Sequence, residues 1–295
     1  MISREAETSP GAELGSSVVG RIGGTPLLRL DAATSGIGGV VLLGKAEWAN
    51  PGGSVKDRAA ISMIEDARAR GLLTPGKTVL DATSGNTGIA LAMLGAAQGF
   101  PVHLVMPGNV SPERKRILHA YGAMVEWTDP DLGSDGAILR ARELAGNDPD
   151  RFCYIDQYSN DANWLAHYRT TGTFVGTTRR LKELNPALQA ISFQPDSPFH
   201  GLEGLKHLGS ALVPSIYNPY LADRELAVET ESAYDMARRL ARDAGLLVGI
   251  SAAAAVVAGL KIAREEAAAG RHPVIATVLP DAADKYLSER FWEEA

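Results

Sequence analysis

The stretch NPGGSVKDR at residues 50–58 decides how the chain folds around it. Its proline, glycines and asparagine are unsuited to the interior of a helix or of a central strand, so they predict a turn. The run AAISMIEDA at 59–67 that follows predicts a helix. Lys56 therefore lies where the turn becomes the first turn of a helix.

This position disfavours the ammonium form of Lys56, because the N-terminal end of a helix dipole is already positive. A lysine with a lowered pKa carries more free amine, and free amine is what Schiff-base chemistry requires. On its own, Lys56 also fits an ordinary solvent-facing lysine in a surface turn, since most lysines are exposed. A second signal is needed to choose between the two interpretations.

The composition excludes several classes of protein. The 295 residues are 45% hydrophobic and 22% charged, as in an ordinary globular protein. A net charge of −6, without a basic stripe, argues against a nucleic-acid partner. Cys153 is the single cysteine, so we expect a buried, inert thiol and no internal disulfide or cysteine-based metal site. Residues 1–16 carry no apolar signal core, and no apolar run is long enough to span a bilayer, so we expect a cytoplasmic protein with no metal and no membrane partner.

Strands and helices alternate through the middle of the chain. The pattern predicts strands at 40–45, 78–82, 102–106, 124–127 and 152–155, with helices at 89–98, 112–121 and 135–145. The second half is less regular, with helices at 173–184, 229–244 and 252–269, strands at 190–194 and 274–279, and a loop-rich segment at 197–223. Strands separated by single helices predict an α/β protein with mostly parallel twisted sheets flanked by helices, and the length allows two lobes. The alanine-rich helix at 252–269 is apolar around most of its surface, which predicts a packed internal helix.

A second informative stretch is TSGNTG at 83–88, which follows a predicted strand and opens a predicted helix. Its small and hydroxylated residues leave backbone N–H groups free at the positive end of the helix, where a carboxylate or phosphate binds readily. A βα turn that uses Asn and Gly for conformational reasons alone fits the stretch equally well. No Gly-Lys-Ser/Thr follows, which excludes the phosphate loop of nucleoside triphosphatases.

Together, the stretches at 50–58 and 83–88 resemble the signatures of cysteine synthase (O-acetylserine sulfhydrylase), a family of pyridoxal-phosphate enzymes with the fold-type II architecture of the tryptophan synthase β-subunit. Further matches, in chain order, are GGTPL at 23–27, Met106-Pro107 with Ser111, Glu113 and Arg114, Gln157-Tyr158, HYRTTG at 167–172, GIS at 249–251, and Pro280-Asp281 with KYLS at 285–288. The resemblance extends from about Val19 to Phe291. The loop FHGLEGLKH at 199–207 is closer to the B-type branch than to the A-type branch.

The resemblance implies roles for individual residues. Lys56 is implied to bind pyridoxal phosphate as a Schiff base and to act later as the base that removes the substrate α-proton. Asn86 is implied to hydrogen-bond the phenolic oxygen of the cofactor, and Ser251 to face its pyridine nitrogen, where a hydroxyl favours loss of a β-substituent over long-lived carbanion chemistry. From the sequence alone, Ser251 is at least as well interpreted as the N-cap of the alanine-rich helix. The substrate carboxylate is implied to bind Thr83, Ser84, Gly85, Thr87 and Gln157.

The implied activity is that of a transferase that makes cysteine. It replaces the β-substituent of an activated serine, O-acetylserine or O-phosphoserine, with sulfide or with sulfur from a carrier. The family also implies a homodimer. It implies a smaller domain at 46–150, a larger domain formed by 18–45 and 151–295, and a flexible arm at 1–17.

The sequence departs from the family after Gly172. HYRTTG at 167–172 runs directly into a segment that resembles the continuation after the cofactor's phosphate loop. A helix and a strand are missing there, about twenty residues by typical element lengths. The phosphate-binding residues that remain are Thr170, Thr171, Gly172 and Thr173, and the lost strand is expected to be central in its sheet. The missing segment makes an impaired or regulatory paralogue one alternative. A second alternative is another β-elimination or β-replacement enzyme of the same fold, of the cystathionine β-synthase or serine/threonine dehydratase type.

Overall fold

The computed structural model describes residues 17–170, 174–205, 207–209, 218 and 220–293. The strands are β1 (Leu27–Arg29), β2 (Val41–Ala46), β3 (Thr78–Ala82), β4 (Val102–Pro107), β5 (Met124–Thr128), β6 (Phe152–Tyr154), β7 (Ile191–Pro195), β8 (Arg224–Val228) and β9 (Val274–Leu279). The α-helices are α1 (Lys56–Ala69), α2 (Asn86–Gln98), α3 (Pro112–Ala120), α4 (Gly133–Asn147), α5 (Asp161–Thr170), α6 (Phe174–Leu184), α7 (Thr230–Ala244) and α8 (Ile250–Ala268). The predicted α/β class with mostly parallel sheets is confirmed.

The first sheet has the strand order β5-β4-β3-β6, and all of its pairs are parallel. Every residue of β3 is buried, because apolar side chains cover both faces of this sheet. Met63 of α1 and Leu91 of α2 belong to the core on one face, and Ile138 of α4 belongs to the core on the other. Cys153 lies in β6 and is buried, as predicted. The chain reaches β6 after β5 and returns to the opposite side of β3, which creates a crevice at the carboxyl ends of these two strands.

The second sheet has the order β1-β2-β9, with β2 and β9 parallel and β1 antiparallel. Helix α8 packs against it, and the residues from Ile250 to Leu260 are all buried. A Cβ at Gly259 would lie 3.0 Å from Leu42 Cδ1 of β2, so the glycine permits close approach of helix and sheet. The prediction of a packed internal helix is confirmed.

Strands β7 and β8 form a separate parallel pair. Within the described ranges, neither strand is hydrogen-bonded to β9, which is the edge of its own three-stranded sheet. Loss of the central strand that the sequence predicts to be missing after Gly172 would leave such an interruption. β8 was not predicted, because three of its five residues are exposed and its sequence, RELAV, has no strand-like alternation.

Among the described helices, none is long and apolar enough to cross a membrane.

Candidate active site

Lys56 is the first residue of α1, as the sequence predicts. The turn before it is built by Gly53 at φ 77° and by Ser54, whose Oγ accepts a hydrogen bond from the Lys56 N–H at 3.2 Å. The Lys56 side chain is half-buried. Burial lowers the pKa of its ammonium group, and the negative charge of Asp281 partly opposes this effect. The structure thus supports a lysine with an enlarged share of free amine.

A buried polar network holds the Lys56 turn from behind. Glu47 accepts hydrogen bonds from Arg58 Nε at 2.7 Å and Nη2 at 3.0 Å, from Thr25 Oγ1 at 2.7 Å and from Asn50 Nδ2 at 2.9 Å. Asn50 Oδ1 accepts the N–H of Gly23 at 2.8 Å. Burial alone would raise the pKa of the Glu47 carboxyl, but the bonds from Arg58 and Thr25 outweigh it, so the pKa lies below its ordinary value. The network explains why the separate stretches at 23–27 and 50–58 belong to one site.

The stretch at 83–88 joins β3 to α2, as the sequence predicts, with Gly85 as the N-cap. Thr83 Oγ1 accepts the N–H of Gly85 at 3.2 Å. A Cβ at Gly88 would lie 2.7 Å from Thr83 Cγ2, so a glycine is needed where the turn packs against the helix. Within the described part of the chain, the N–H groups of Asn86 and Thr87 have no partner. Free N–H groups at the N-terminal end of a helix can hold an anion, so this helix end is a candidate site for one.

Gln157 follows β6 and meets this turn in the crevice between β3 and β6. Its Oε1 accepts the Thr87 hydroxyl at 2.8 Å, and its Nε2 donates to Ala82 O at 2.6 Å. The Gln157 N–H donates to Asp81 Oδ1 at 3.4 Å. Burial raises the pKa of Asp81 to about 8, with a further contribution from the nearby Asp156. The structure therefore brings Gln157, which follows β6, to the same place as Thr83 and Thr87, which follow β3, although two strands lie between them in the sequence.

Asp281 joins Asn86 to the C-terminal segment. Its Oδ2 accepts the Asn86 amide at 2.6 Å and the Tyr286 hydroxyl at 2.7 Å. Asp281 Oδ1 and Asn86 Oδ1 are both buried without a partner in the described structure. Sequence reasoning quoted Asp281 only as part of a motif and gave it no role. The signal that was available is an acid placed directly after an apolar strand and a proline.

Ser251 lies in the first turn of α8, and the prediction that it is the N-cap is wrong. The N-cap is Gly249, whose N–H donates to Asp281 O at 3.0 Å. A Cβ at Gly249 would overlap Asp281 Oδ1, so only glycine fits at this position. The helix begins at Ile250, one residue before Ser251. The Ser251 side chain is buried beside this contact. Its hydroxyl is therefore not used to cap the helix.

Arg114 is a further site residue, which sequence reasoning quoted only as part of a motif and to which it gave no role. The Arg114 residue is 2% exposed, and its Cζ lies 4.7 Å from the centroid of the Tyr286 ring. Its guanidinium forms an ion pair with Glu203 of the loop at 199–207. A Cβ on Gly85 would be 3.5 Å from Arg114 Nε, which has no partner in the described structure. Arg114 thus lines the turn at 83–88 from α3.

Part of the predicted phosphate site cannot be placed. Thr171, Gly172 and Thr173 lie outside the described residues, and of Thr170 only the backbone, at the end of α5, is described. Residues 1–16 of the predicted arm also lie outside the described residues.

Comparison with known proteins finds a matching family and similar proteins. Residues 18–173 match the sequence profile of the family described as pyridoxal-phosphate dependent enzyme. A cysteine synthase of Aquifex aeolicus is 48% identical, with 92% of this chain and 91% of that protein covered. A cysteine synthase B of Pseudomonas aeruginosa is 37% identical, with 92% and 96% covered. A crystal structure of cysteine synthase from Entamoeba histolytica is 30% identical and superposes with a TM-score of 0.90, covering 99% of this chain and 94% of that one.

The comparisons also bear on the predicted deletion. The profile match ends at residue 173, where the sequence predicts the join. The alignment with the Aquifex protein is 297 positions long but takes in 92% of the 295 residues, about 271 of them, so about 26 of its positions have no residue in this chain. Taken together, these positions are about as many as one helix, one strand and their connections contain.

Proposed function

The chain belongs to the pyridoxal-phosphate-dependent enzymes, and from that premise we propose that it makes cysteine from an activated serine and a sulfur donor. The relatives at 48% and 37% identity are cysteine synthases, which supports this reaction over the cystathionine β-synthase and dehydratase alternatives. Pyridoxal phosphate is the cofactor. When bound, it supplies an electron sink for negative charge at the substrate α-carbon.

The described residues fit this cofactor. Lys56 has a lowered pKa, and Asn86 Oδ1 is a buried polar atom without a partner at the same site. We propose that Lys56 binds the cofactor, that Asn86 hydrogen-bonds its phenolic oxygen, and that Ser251 faces its pyridine nitrogen. Thr170, Thr171, Gly172 and Thr173 are proposed to hold the phosphate. The Lys56 amine also accepts the substrate α-proton at Nζ, a task for which a lowered pKa is suited near neutral pH.

The substrate carboxylate is proposed to bind at the turn formed by Thr83, Ser84, Gly85 and Thr87. The free N–H groups at the start of α2 attract an anion there. Gln157 fixes the Thr87 hydroxyl through the 2.8 Å hydrogen bond. An oriented carboxylate places the α-carbon of the substrate consistently toward Lys56, which is the positioning that catalysis needs.

The observation that carries the proposal is a convergence of distant residues. Lys56 and Asn86, the first residues of α1 and α2, both lie beside Asp281, and Gln157 accepts the hydroxyl of Thr87, the neighbour of Asn86. The test is product formation from O-acetylserine or O-phosphoserine with sulfide and pyridoxal phosphate, with serine plus homocysteine and threonine alone in parallel. We expect cysteine from at least one ester and none from Lys56→Ala. Cystathionine or a 2-oxo acid without cysteine would move the chain to one of the alternative enzymes. Failure to bind the cofactor would indicate the impaired paralogue.

We also propose a cytoplasmic homodimer with two lobes in each protomer. The smaller lobe is 46–150, and the larger is 18–45 with 151–295. Strand β6 (Phe152–Tyr154) pairs with β3 in the first sheet, so we extend the smaller lobe from residue 150 to the end of β6. Light scattering coupled to gel filtration tests the oligomeric state, for which twice the mass of 31.2 kDa is expected.

A further inference from the structure

We propose that Asp281 is a positioning residue that fixes the side-chain amide of Asn86 and thereby decides which atoms Asn86 offers to the cofactor. The inference rests on the proposed function. It starts from one oxygen, Asp281 Oδ2, which accepts from Asn86 Nδ2 at 2.6 Å and from Tyr286 Oη at 2.7 Å. An ionised carboxylate only accepts hydrogen bonds, so Asn86 must turn its nitrogen toward Asp281.

The carboxylate cannot move away from Asn86. Asp281 is fully buried, and its other oxygen lies against the Cα of Gly249, where a Cβ would overlap it. Tyr286 is held in turn, since its ring lies beneath the Arg114 guanidinium and its carbonyl accepts Trp292 Nε1 at 3.0 Å. The contacts leave Asp281 one position, in which Oδ2 faces Asn86.

The arrangement is insensitive to the charge state of Asp281. The charged and titratable groups that face it are Lys56, Lys285, Arg114, Tyr286 and Glu203. Burial raises the pKa of Asp281, and the bonds from Asn86 and Tyr286 oppose the rise. Because both donors use Oδ2, an added proton would sit on Oδ1, and Oδ2 would still accept from Asn86. The amide of Asn86 therefore keeps its orientation in either state.

A fixed amide gives the cofactor a prepared partner. Two groups of Asn86 remain to hydrogen-bond the cofactor, namely Oδ1 and the second Nδ2 hydrogen. Oδ1 is buried without a partner in the described structure. Without Asp281 the amide rotates, and cofactor binding must order it again. Losing a hydrogen bond to a charged group is expected to weaken cofactor binding by about tenfold or more.

The test is a double-mutant cycle on the dissociation constant for pyridoxal phosphate, measured by titrating cofactor-free protein and following the absorbance of the bound cofactor. Asp281→Ala is expected to weaken binding at least tenfold and to shift the absorbance maximum. In the Asn86→Ala background the same substitution is expected to add less than twofold. Asp281→Asn keeps an acceptor but removes the charge, and it is expected to restore most of the affinity and the wild-type maximum. Tyr286→Phe is the matched control, since it removes the other donor to Oδ2.

The following results would refute the positioning role of Asp281 or the proposed function on which it rests. Equal losses in Asp281→Asn and Asp281→Ala would show that the charge acts on Lys56 and would refute the positioning role. Additive losses in the double variant would show that Asp281 acts independently of Asn86, and unchanged binding in Asp281→Ala would refute the inference directly. If Asp281→Ala does not fold, Asp281→Leu, which keeps the side-chain size without acceptors, replaces it. A wild-type protein that binds no pyridoxal phosphate would refute the proposed function itself and the inference with it.

Discussion

Replacing Glu47 with glutamine tests whether the buried network behind the Lys56 turn holds the turn in place. Glu47 is fully buried, and Arg58 is 5% exposed. The substitution removes the negative charge that accepts two hydrogen bonds from the buried guanidinium of Arg58. Breaking a buried pair in this way costs about 3–5 kcal/mol, which corresponds to a fall in Tm on the order of 10 °C for a chain of this size.

The assay is thermal denaturation followed by circular dichroism, with Glu265→Gln as the matched control. Glu265 and Arg224 form an exposed pair in which both side chains are nearly half accessible, so the control is expected to change Tm little. The wild-type advantage over Glu47→Gln should be complete above the ordinary pKa of a glutamate. It should shrink in acid, as the pH falls through the lowered pKa of Glu47 in the folded protein. A Tm change no larger than that of Glu265→Gln would refute the reasoning.

Three further predictions concern the same site. Burial raises the pKa of Asp81 to about 8, so its contribution to stability is complete at acid pH and is lost as the pH rises toward 8. Asp81→Asn should therefore flatten the dependence of Tm on pH. Parallel Tm–pH profiles for the variant and the wild type would count against this. Gly249→Ala should destabilise the protein by about 1–3 kcal/mol in urea unfolding, because the new Cβ overlaps Asp281, whereas Gly146→Ala in open space should not; equal effects would contradict the prediction. Thr87→Val should raise KM for the amino-acid substrate about tenfold with a smaller effect on kcat, and an unchanged KM would separate Thr87 from carboxylate binding.

The two turns of the site could be predicted from the sequence because each is formed by one short, continuous stretch of residues. The turn before Lys56 and the turn at 83–88 are set by glycine, proline and asparagine, whose backbone preferences act within a few residues. Strands such as β3 and β9 begin and end where the sequence predicts, because they are short, mostly apolar runs bounded by polar or turn residues.

The rest of the site and strand β8 could not be predicted, because they depend on contacts between residues that are far apart in the sequence. Asn86 and Asp281 are 195 residues apart in sequence, and Arg114 and Glu203 are 89 apart. The N-cap was predicted at Ser251 because serine is preferred over glycine at that position in general, whereas the space beside Asp281 at residue 249 admits only glycine. Strand β8 forms because β7 lies beside it, although its own residues have little strand preference.

The central claim is that Lys56 carries pyridoxal phosphate, and the most direct measurement is to locate the covalent link. The purified protein is loaded with the cofactor, reduced with borohydride, digested, and analysed by mass spectrometry for a pyridoxyl group. We predict a visible absorbance band that borohydride abolishes, one labelled peptide containing Lys56, and neither band nor label in Lys56→Ala. A label on another lysine, or no band after pyridoxal phosphate is added, would contradict the claim.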